Sequence, residues 1–278
     1  MKTITKTLII LLTAFFGSCN SAPDDENINT IGRLLRIEDE EHETITQYAY
    51  SRNNRLKSSE TYQDYYLPAK HDHFNYTYNT DGTLSQKEGF LPGNMYMSSL
   101  RGAADANITT KYKYNSSGDI ESARSEVEYD FEDINYTSQV AYGYPEENKI
   151  LEMAYIIDPA GNSIITVREY HYNSNNNIEE VISYVNSNAE EKRILSKEEY
   201  TYDDQKTPFQ PEPRPHSANN ILTLRVTAYN YDEAGNQSIA YTSNYSYAYE
   251  YNKNGFPQKV TETFPNEMTK TMYYIYKN

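Results

Sequence analysis

The sequence predicts an all-β protein, an antiparallel meander of repeated β-hairpins that forms a curled or folded-over sheet. Three observations carry this expectation. A short Tyr-x-Tyr unit recurs along the chain, each copy runs into residues that make turns, and helical periodicity is absent past residue 45. Tyrosine is the compositional outlier, with 30 Tyr against 8 Phe and no Trp. Every Tyr lies at or after Tyr48. Tyrosine favours strands because its ring covers a pleated surface while its hydroxyl stays hydrogen-bonded or wet.

The first element in chain order is not part of that sheet. Lys2 and Lys6 precede an apolar run from Thr7 to Phe16. The run is too short for a bilayer, which takes about 20 residues, and suits the core of a secretory signal. Phe16-Gly17-Ser18-Cys19 follows, and Cys19 is the only cysteine in the chain. This stretch resembles the lipobox of bacterial lipoproteins, with Phe16 in place of the usual Leu. The resemblance implies cleavage between Ser18 and Cys19, lipid on the Cys19 sulfur, and a mature protein with neither disulfide nor free thiol. Diacylation with N-acylation supplies enough chains for stable membrane anchoring. Asp24-Asp25-Glu26 is similar to the surface-export signal of Bacteroidetes lipoproteins, which implies display on the cell surface, a periplasm-facing position being the alternative. Residues 1–18 are then a signal peptide, 19–44 an acidic tether and 45–278 the folded domain.

Nine units begin at Tyr48, Tyr76, Tyr112, Tyr142, Tyr155, Tyr170, Tyr200, Tyr229 and Tyr249. The residue opening each turn is Ser51, Asn79, Asn115, Pro145, Asp158, Asn173, Asp203, Asp232 or Asn252. All but Pro145 have a short polar side chain able to bond the backbone two residues on. Three positions later stand Asn54, Gly82, Gly118, Asn148, Gly161, Asn176, Lys206, Gly235 and Gly255. All but Lys206 are Gly or Asn, the residues that accept positive φ. The pattern predicts a type I turn closed by a left-handed residue and a bulge. It pairs Tyr78 with Leu84, Tyr114 with Ile120, Tyr144 with Ile150 and Tyr172 with Ile178. Ile150–Ile157 and Asn162–Tyr172 each read as one strand shared by two hairpins. The two Tyr of a pair share a face, since side chains alternate with period two.

The Tyr-x-Tyr-Asn-x-x-Gly-x-Leu/Ile unit is similar to the YD repeats of Rhs-type proteins, and closer to repeat-bearing Bacteroidetes lipoproteins of unknown function. Tyr200-Thr201-Tyr202-Asp203-Asp204-Gln205-Lys206-Thr207-Pro208-Phe209, with Asn219-Asn220-Ile221, resembles a recurring segment of that family. The likeness covers about residues 48–278 and implies an architecture rather than an activity. The chain is still strand-like at Tyr273-Tyr274-Ile275-Tyr276, so no enclosed toxin domain of the Rhs kind is expected. Two segments break the rhythm. Gly89–Asn107 reads as a long loop, and Thr207–Asn220 carries Pro208, Pro211, Pro213 and Pro215, which stiffen it. Each is either a functional loop or an insertion at a hairpin end.

A formal charge of −15 argues against nucleic acid as a partner. His71-Asp72-His73 puts two imidazoles on one strand face but lacks a third ligand of matching spacing, so no metal site is expected. Neither a serine-nucleophile elbow nor a phosphate-cradling Gly loop is present, and no cofactor is expected. The tyrosine stripe is either the packing face of the repeat or a platform for sugar rings, packing being favoured. A sheet of so many strands cannot stay flat and wet on both sides, and the stripe is the face expected to be covered. The expected function is a non-enzymatic binding or structural module for protein or glycan, held at the bacterial outer membrane by its lipid. A surface polysaccharide hydrolase is the alternative, since its two acids need no sequence proximity.

Overall fold

A computed structural model describes residues 33–62, 71–91, 105–129, 135–157, 163–188, 191–208, 212–232 and 234–277. They form sixteen antiparallel strands: β1 Leu34–Glu38, β2 Thr44–Tyr50, β3 Leu56–Tyr62, β4 His71–Tyr78, β5 Leu84–Leu91, β6 Ala106–Tyr114, β7 Ile120–Tyr129 and β8 Asn135–Glu146, then β9 Lys149–Ile157, β10 Ser163–Tyr172, β11 Ile178–Asn188, β12 Glu191–Lys206, β13 Asn219–Tyr231, β14 Gln237–Tyr251, β15 Pro257–Thr263 and β16 Thr269–Tyr276. Each strand pairs with its sequence neighbours, and β1 pairs with β16, with Leu34 opposite Tyr276 and Ile37 opposite Tyr274. The sheet is therefore not open and curled. It closes into a barrel, which leaves no unpaired edge.

Closure also corrects the start of the folded domain. Leu34–Glu38 lies within the stretch expected to be tether, yet it is the strand that seals the barrel. The acidic run beside it is the β1–β2 turn, where the Asp39 carboxylate accepts from the backbone N–H groups of Glu41 and Glu43. Cys19, Ser18, Asp24, Asp25 and Glu26 lie outside the described residues.

The expected turn recurs. In β4–β5 the Asn79 N–H donates to the Thr83 carbonyl at 2.8 Å and Gly82 N–H to the Asn79 carbonyl at 3.1 Å. The same two bonds close the turns at Ser51–Arg55, Asn115–Asp119, Asn173–Asn177, Asp232–Asn236 and Asn252–Phe256. Gly82, Gly118, Gly235, Gly255, Asn54 and Asn176 all have positive φ; Gly161 lies outside the described residues. Asn148 and Lys206 are not among the positive-φ residues, because β8–β9 turns more tightly and β12 continues as strand through Lys206. Turns of the same form occur at Asp39–Glu43 and Phe264–Met268, where His42 and Glu267 take positive φ. Lacking Gly or Asn there, they carry no sequence signal.

Register confirms Tyr78 opposite Leu84, Tyr114 opposite Ile120 and Tyr172 opposite Ile178, each beside a bulge. Tyr144 and Ile150 are not partners: β8 runs on to Glu146, which faces Lys149. The turns do not all lie at one end. Even-numbered strands run toward what we call the turn end, odd-numbered strands away from it, so the Asp232–Asn236 turn is at the opposite end. The tyrosine pair missing from the expected set is Tyr274 and Tyr276 on β16, in the position that Tyr48 and Tyr50 hold on β2.

The alternation along strands sorts the residues into two faces. Tyr76, Lys87, Thr110, Ser125 and Ser138 are cross-strand partners in one row and all face the lumen. The adjacent row, Thr77, Gln86, Lys111, Arg124 and Gln139, faces outward. Farther round, Glu180, Glu199, Arg225 and Asn244 form another outward row. Outside charges pair with each other: Lys197 with Glu180 at 2.5 Å, Lys259 with Glu250 at 2.8 Å, and Glu169 with Lys149, Lys192 and His171. Among the described residues, apolar side chains gather outside around β9–β11, where Met153, Val167 and Tyr184 share a row and Ile165 is 40% exposed. This is the reverse of a lipid-embedded wall, where each Arg or Lys at mid-bilayer costs about 2–4 kcal/mol.

Candidate functional site

The lumen is built from the repeat. At the turn end the first residues of odd-numbered strands point inward as a ring of buried aliphatics: Leu34, Leu56, Leu84, Ile120, Ile178 and Pro257. Above it stand the tyrosines of even-numbered strands. Second members of the pairs latch one strand to the next: Tyr50 donates to the Leu34 carbonyl, Tyr114 to Leu84, Tyr144 to Ile120 and Tyr202 to Ile178, at 2.6–2.9 Å. First members form a second layer. Tyr170 is 5% exposed and packs with Ile178 and with Val181, against Ile150, Tyr172 and Tyr200. The stripe is thus an interior face.

Burial sets the chemistry of these phenols. Tyr76, Tyr78 and Tyr274 are pushed up to about 12, first by desolvation, with Glu212 and neighbouring tyrosines adding at Tyr76 and Tyr48 adding at Tyr274. Tyr112, Tyr170 and Tyr200 are raised as well, first by burial and then by adjacent carboxylates and phenols. All are therefore neutral donors at physiological pH.

A barrel of this strand number ordinarily encloses an aqueous channel. Here the β12–β13 connection enters it. Ser217 Oγ donates to the Tyr202 phenol at 2.8 Å and accepts from the Ile178 N–H at 3.0 Å. The His216 backbone reaches the Tyr172 phenol. Farther in, Glu212 Oε1 lies 2.5 Å from Lys87 Nζ on β5, across the lumen from its own hairpin. The described part of the proline-rich segment, 212–218, is therefore a plug, which the sequence marked only as an interruption. The other interruption, Gly89–Asn107, is partly strand: β5 reaches Leu91 and β6 begins at Ala106. At Gly89 a Cβ would meet the His73 carbonyl oxygen at 1.8 Å, so only glycine fits that strand position.

Between plug and wall is a cavity of about 640 Å³. Its wall is rich in paired hydroxyls: Thr46 with Thr61 at 3.3 Å, Ser59 with the Tyr76 phenol at 2.9 Å, and Thr110 with Ser125 at 2.8 Å. Phe74, Tyr48 and Tyr76 add aromatic faces. The Lys87 ammonium sits 3.9 Å from the centre of the Phe74 ring, a cation–π contact in a desolvated setting. Asp72, Glu212 and Arg214 complete the charged lining.

Other lumenal carboxylates are engaged with neighbours. Glu198 pairs with Arg168 at 3.3 Å, and Glu152 accepts from the Tyr170 phenol at 3.1 Å. None of these forms an isolated acid–base pair across an open cleft. His73 faces outward beside Glu60 at 3.3 Å, while Asp72 faces the lumen. Among the described residues no three His, Cys, Asp or Glu side chains gather into a metal-binding group. Among them, too, no helix is long and apolar enough to cross a membrane, which leaves a strand-built span untouched.

No known family and no curated protein matches the chain in sequence. Among solved structures it is similar to a porin-like protein from Bacteroides vulgatus ATCC 8482, with a TM-score of 0.51 and 11% identity over 88% of this chain and 99% of that one. A porin-like protein from Bacteroides uniformis ATCC 8492 aligns with a TM-score of 0.27 and 12% identity over 69% of this chain and 96% of that one. The first likeness shows the fold, a large antiparallel barrel, and nothing about activity.

Proposed function

We propose that the chain is a lipid-anchored cell-envelope protein of the bacterial outer membrane, whose barrel stands outside the bilayer as a non-enzymatic binding module. The observation that carries this reading is the inversion of the wall. Charged rows face outward, and tyrosines with aliphatics fill the interior. Lipid would strip water from those outward charges, whereas an anchor on Cys19 asks only that the barrel be soluble. The chain enters the barrel at the turn end, where Leu34 begins β1. A tether from Cys19 therefore turns that end toward the membrane. Asp24, Asp25 and Glu26 on the tether favour surface display, and the hairpins are read as YD-like repeats. The cavity, lined by hydroxyls and aromatic rings, favours a glycan over a protein inside the lumen. Hydrolysis is disfavoured by the engagement of Glu212, Glu198 and Glu152 with neighbouring side chains.

Cys19→Ala tests this directly. Loss of palmitate labelling, with the folded chain moving into the soluble envelope fraction, is expected. A variant that loses the label yet stays in the membrane pellet through alkaline carbonate washing would identify a lipid-embedded barrel and end the proposal. Protease shaving of intact cells then separates surface display from a periplasm-facing position.

A further inference from the structure

Lys87 is a cation on the barrel wall whose cross-strand neighbours, Tyr76 and Thr110, are neutral. Its side chain is mostly buried and lies against Phe74. The carboxylate at 2.5 Å comes from Glu212 on the plug, 125 residues away in sequence. A carboxylate from solution fits the same place, because the contact asks only for a carboxylate oxygen beside the Lys87 ammonium. Arg214, two residues farther along, lines the same cavity, and its guanidinium enters no ion pair among the described residues. Guanidinium forks bind carboxylates with two parallel hydrogen bonds. Paired hydroxyls and aromatic faces line the same cavity as the two cations. Hydroxyl pairs both donate and accept, as sugar hydroxyls do, and ring faces cover the apolar C–H faces of a sugar. The cavity's volume of about 640 Å³ falls within the span of small-molecule sites, about 300–1,000 Å³.

We infer that the cavity binds an acidic saccharide, a sugar bearing a carboxylate, and that Glu212 holds the carboxylate position until the ligand takes it. The ligand's carboxylate meets Arg214 and, once Glu212 withdraws, Lys87. Its hydroxyls bond to the wall. The exchange swaps one carboxylate for another, so Lys87 is never left buried without a counter-ion, an arrangement that would be strongly destabilising. This inference rests on the binding-module reading but not on the anchor.

The test is calorimetric titration of the purified chain with digalacturonic acid, beside cellobiose as a neutral control. Digalacturonic acid is expected to bind and cellobiose to bind at least about tenfold more weakly, a difference of about 1.4 kcal/mol. Glu212→Gln removes the placeholder, so the acidic sugar is expected to bind about tenfold tighter, since the competent state no longer competes with a bound side chain. Arg214→Gln is expected to weaken it about tenfold without altering the melting curve. A merely structural Glu212 predicts the opposite sign, and weaker or unchanged binding in Glu212→Gln would overturn the placeholder. Unchanged binding in Arg214→Gln would likewise remove the carboxylate site. If cellobiose binds as tightly as digalacturonic acid, the carboxylate site falls and the binding module stands. If neither sugar binds the parent chain or Glu212→Gln, the lumenal saccharide site is overturned, and the module's partner must be sought outside the barrel.

Discussion

The β4–β5 and β12–β13 hairpins start alike and end differently. One begins with Tyr76-Thr77-Tyr78-Asn79, the other with Tyr200-Thr201-Tyr202-Asp203. In the first, Gly82 takes positive φ at the third position after Asn79 and the chain returns at once. In the second, Lys206 occupies that position. A long side chain disfavours that conformation without forbidding it, as Glu267 shows; here β12 runs on through Lys206, and the chain comes back only after the plug. The opening residue is still used. Asp203 accepts from the Gln205 N–H at 2.9 Å and the Asn220 N–H at 3.1 Å, and it also receives the Tyr251 phenol. Asn219 and Asn177 bond each other across the gap at 2.9 Å. The comparison teaches that two repeats with the same opening part at the third turn position: the one with a left-handed Gly returns at once, and the one with Lys206 in extended strand sends its loop into the lumen.

The largest test acts on the tyrosines of both hairpins together. Burial holds Tyr76, Tyr78 and Tyr202 at about 12 against an ordinary 10. The folded state thus keeps protons that the unfolded state releases. Stability is intact below pH 10 and is lost as pH rises from 10 toward 12. Absorbance of phenolate should appear together with loss of the circular-dichroism signal, as a single steep alkaline transition. Phenols of the short-turn hairpin ionising freely while the fold persists would show that they are not packed.

Next comes Tyr170→Ala, where the ring lies in the best-buried cluster. A loss of about 3–5 kcal/mol is expected in chemical denaturation. Exposed Tyr241, 58% accessible, serves as the comparison, and its replacement by Ala should stay within about 0.5 kcal/mol. Equal losses would put the stripe's role in packing aside.

Gly118→Val and Lys206→Val address the turn position itself. Gly118 has φ +86° and open space around a Cβ, so its cost is backbone strain alone, about 1–3 kcal/mol. Lys206 is in extended strand and its replacement should cost within about 0.5 kcal/mol. Thermal melts that rank the two in the reverse order would show that the β12–β13 hairpin is not an opened version of the same turn.

The smallest expected effect is at the plug's latch. Ser217→Ala removes the bonds to Tyr202 and to the Ile178 N–H, with a loss of about 1–3 kcal/mol if the freed N–H stays dry and less if water reaches it. Amide exchange at Ile178 reports which, and an unchanged exchange rate would mean the plug does not latch there.

How much of this was legible beforehand follows from the range of each interaction. Period-two alternation and turn residues act within a few positions, so the strands, the turns at Asn79, Asn115 and Asn173, and the pairing of Tyr78 with Leu84 could be read directly. The β1 strand could not be, because Leu34–Glu38 carries no tyrosine and adjoins an acidic run that looks like tether. The turns at His42 and Glu267 hid for a similar reason: neither residue advertises the left-handed conformation that its surroundings impose. The resemblance of Phe16-Gly17-Ser18-Cys19 to a lipobox is a matter of sequence, and it remains the basis for the proposed anchor. What the sequence by itself determined is a local rule, a hairpin with paired tyrosines on one face. Only the tertiary structure decided that this face is the inside of a closed barrel. It also decided that charged rows face outward, and that Glu212 meets Lys87 across the lumen. Those outcomes depend on bringing β1 to β16 and the plug to β5, contacts between residues far apart in the chain that no short pattern encodes.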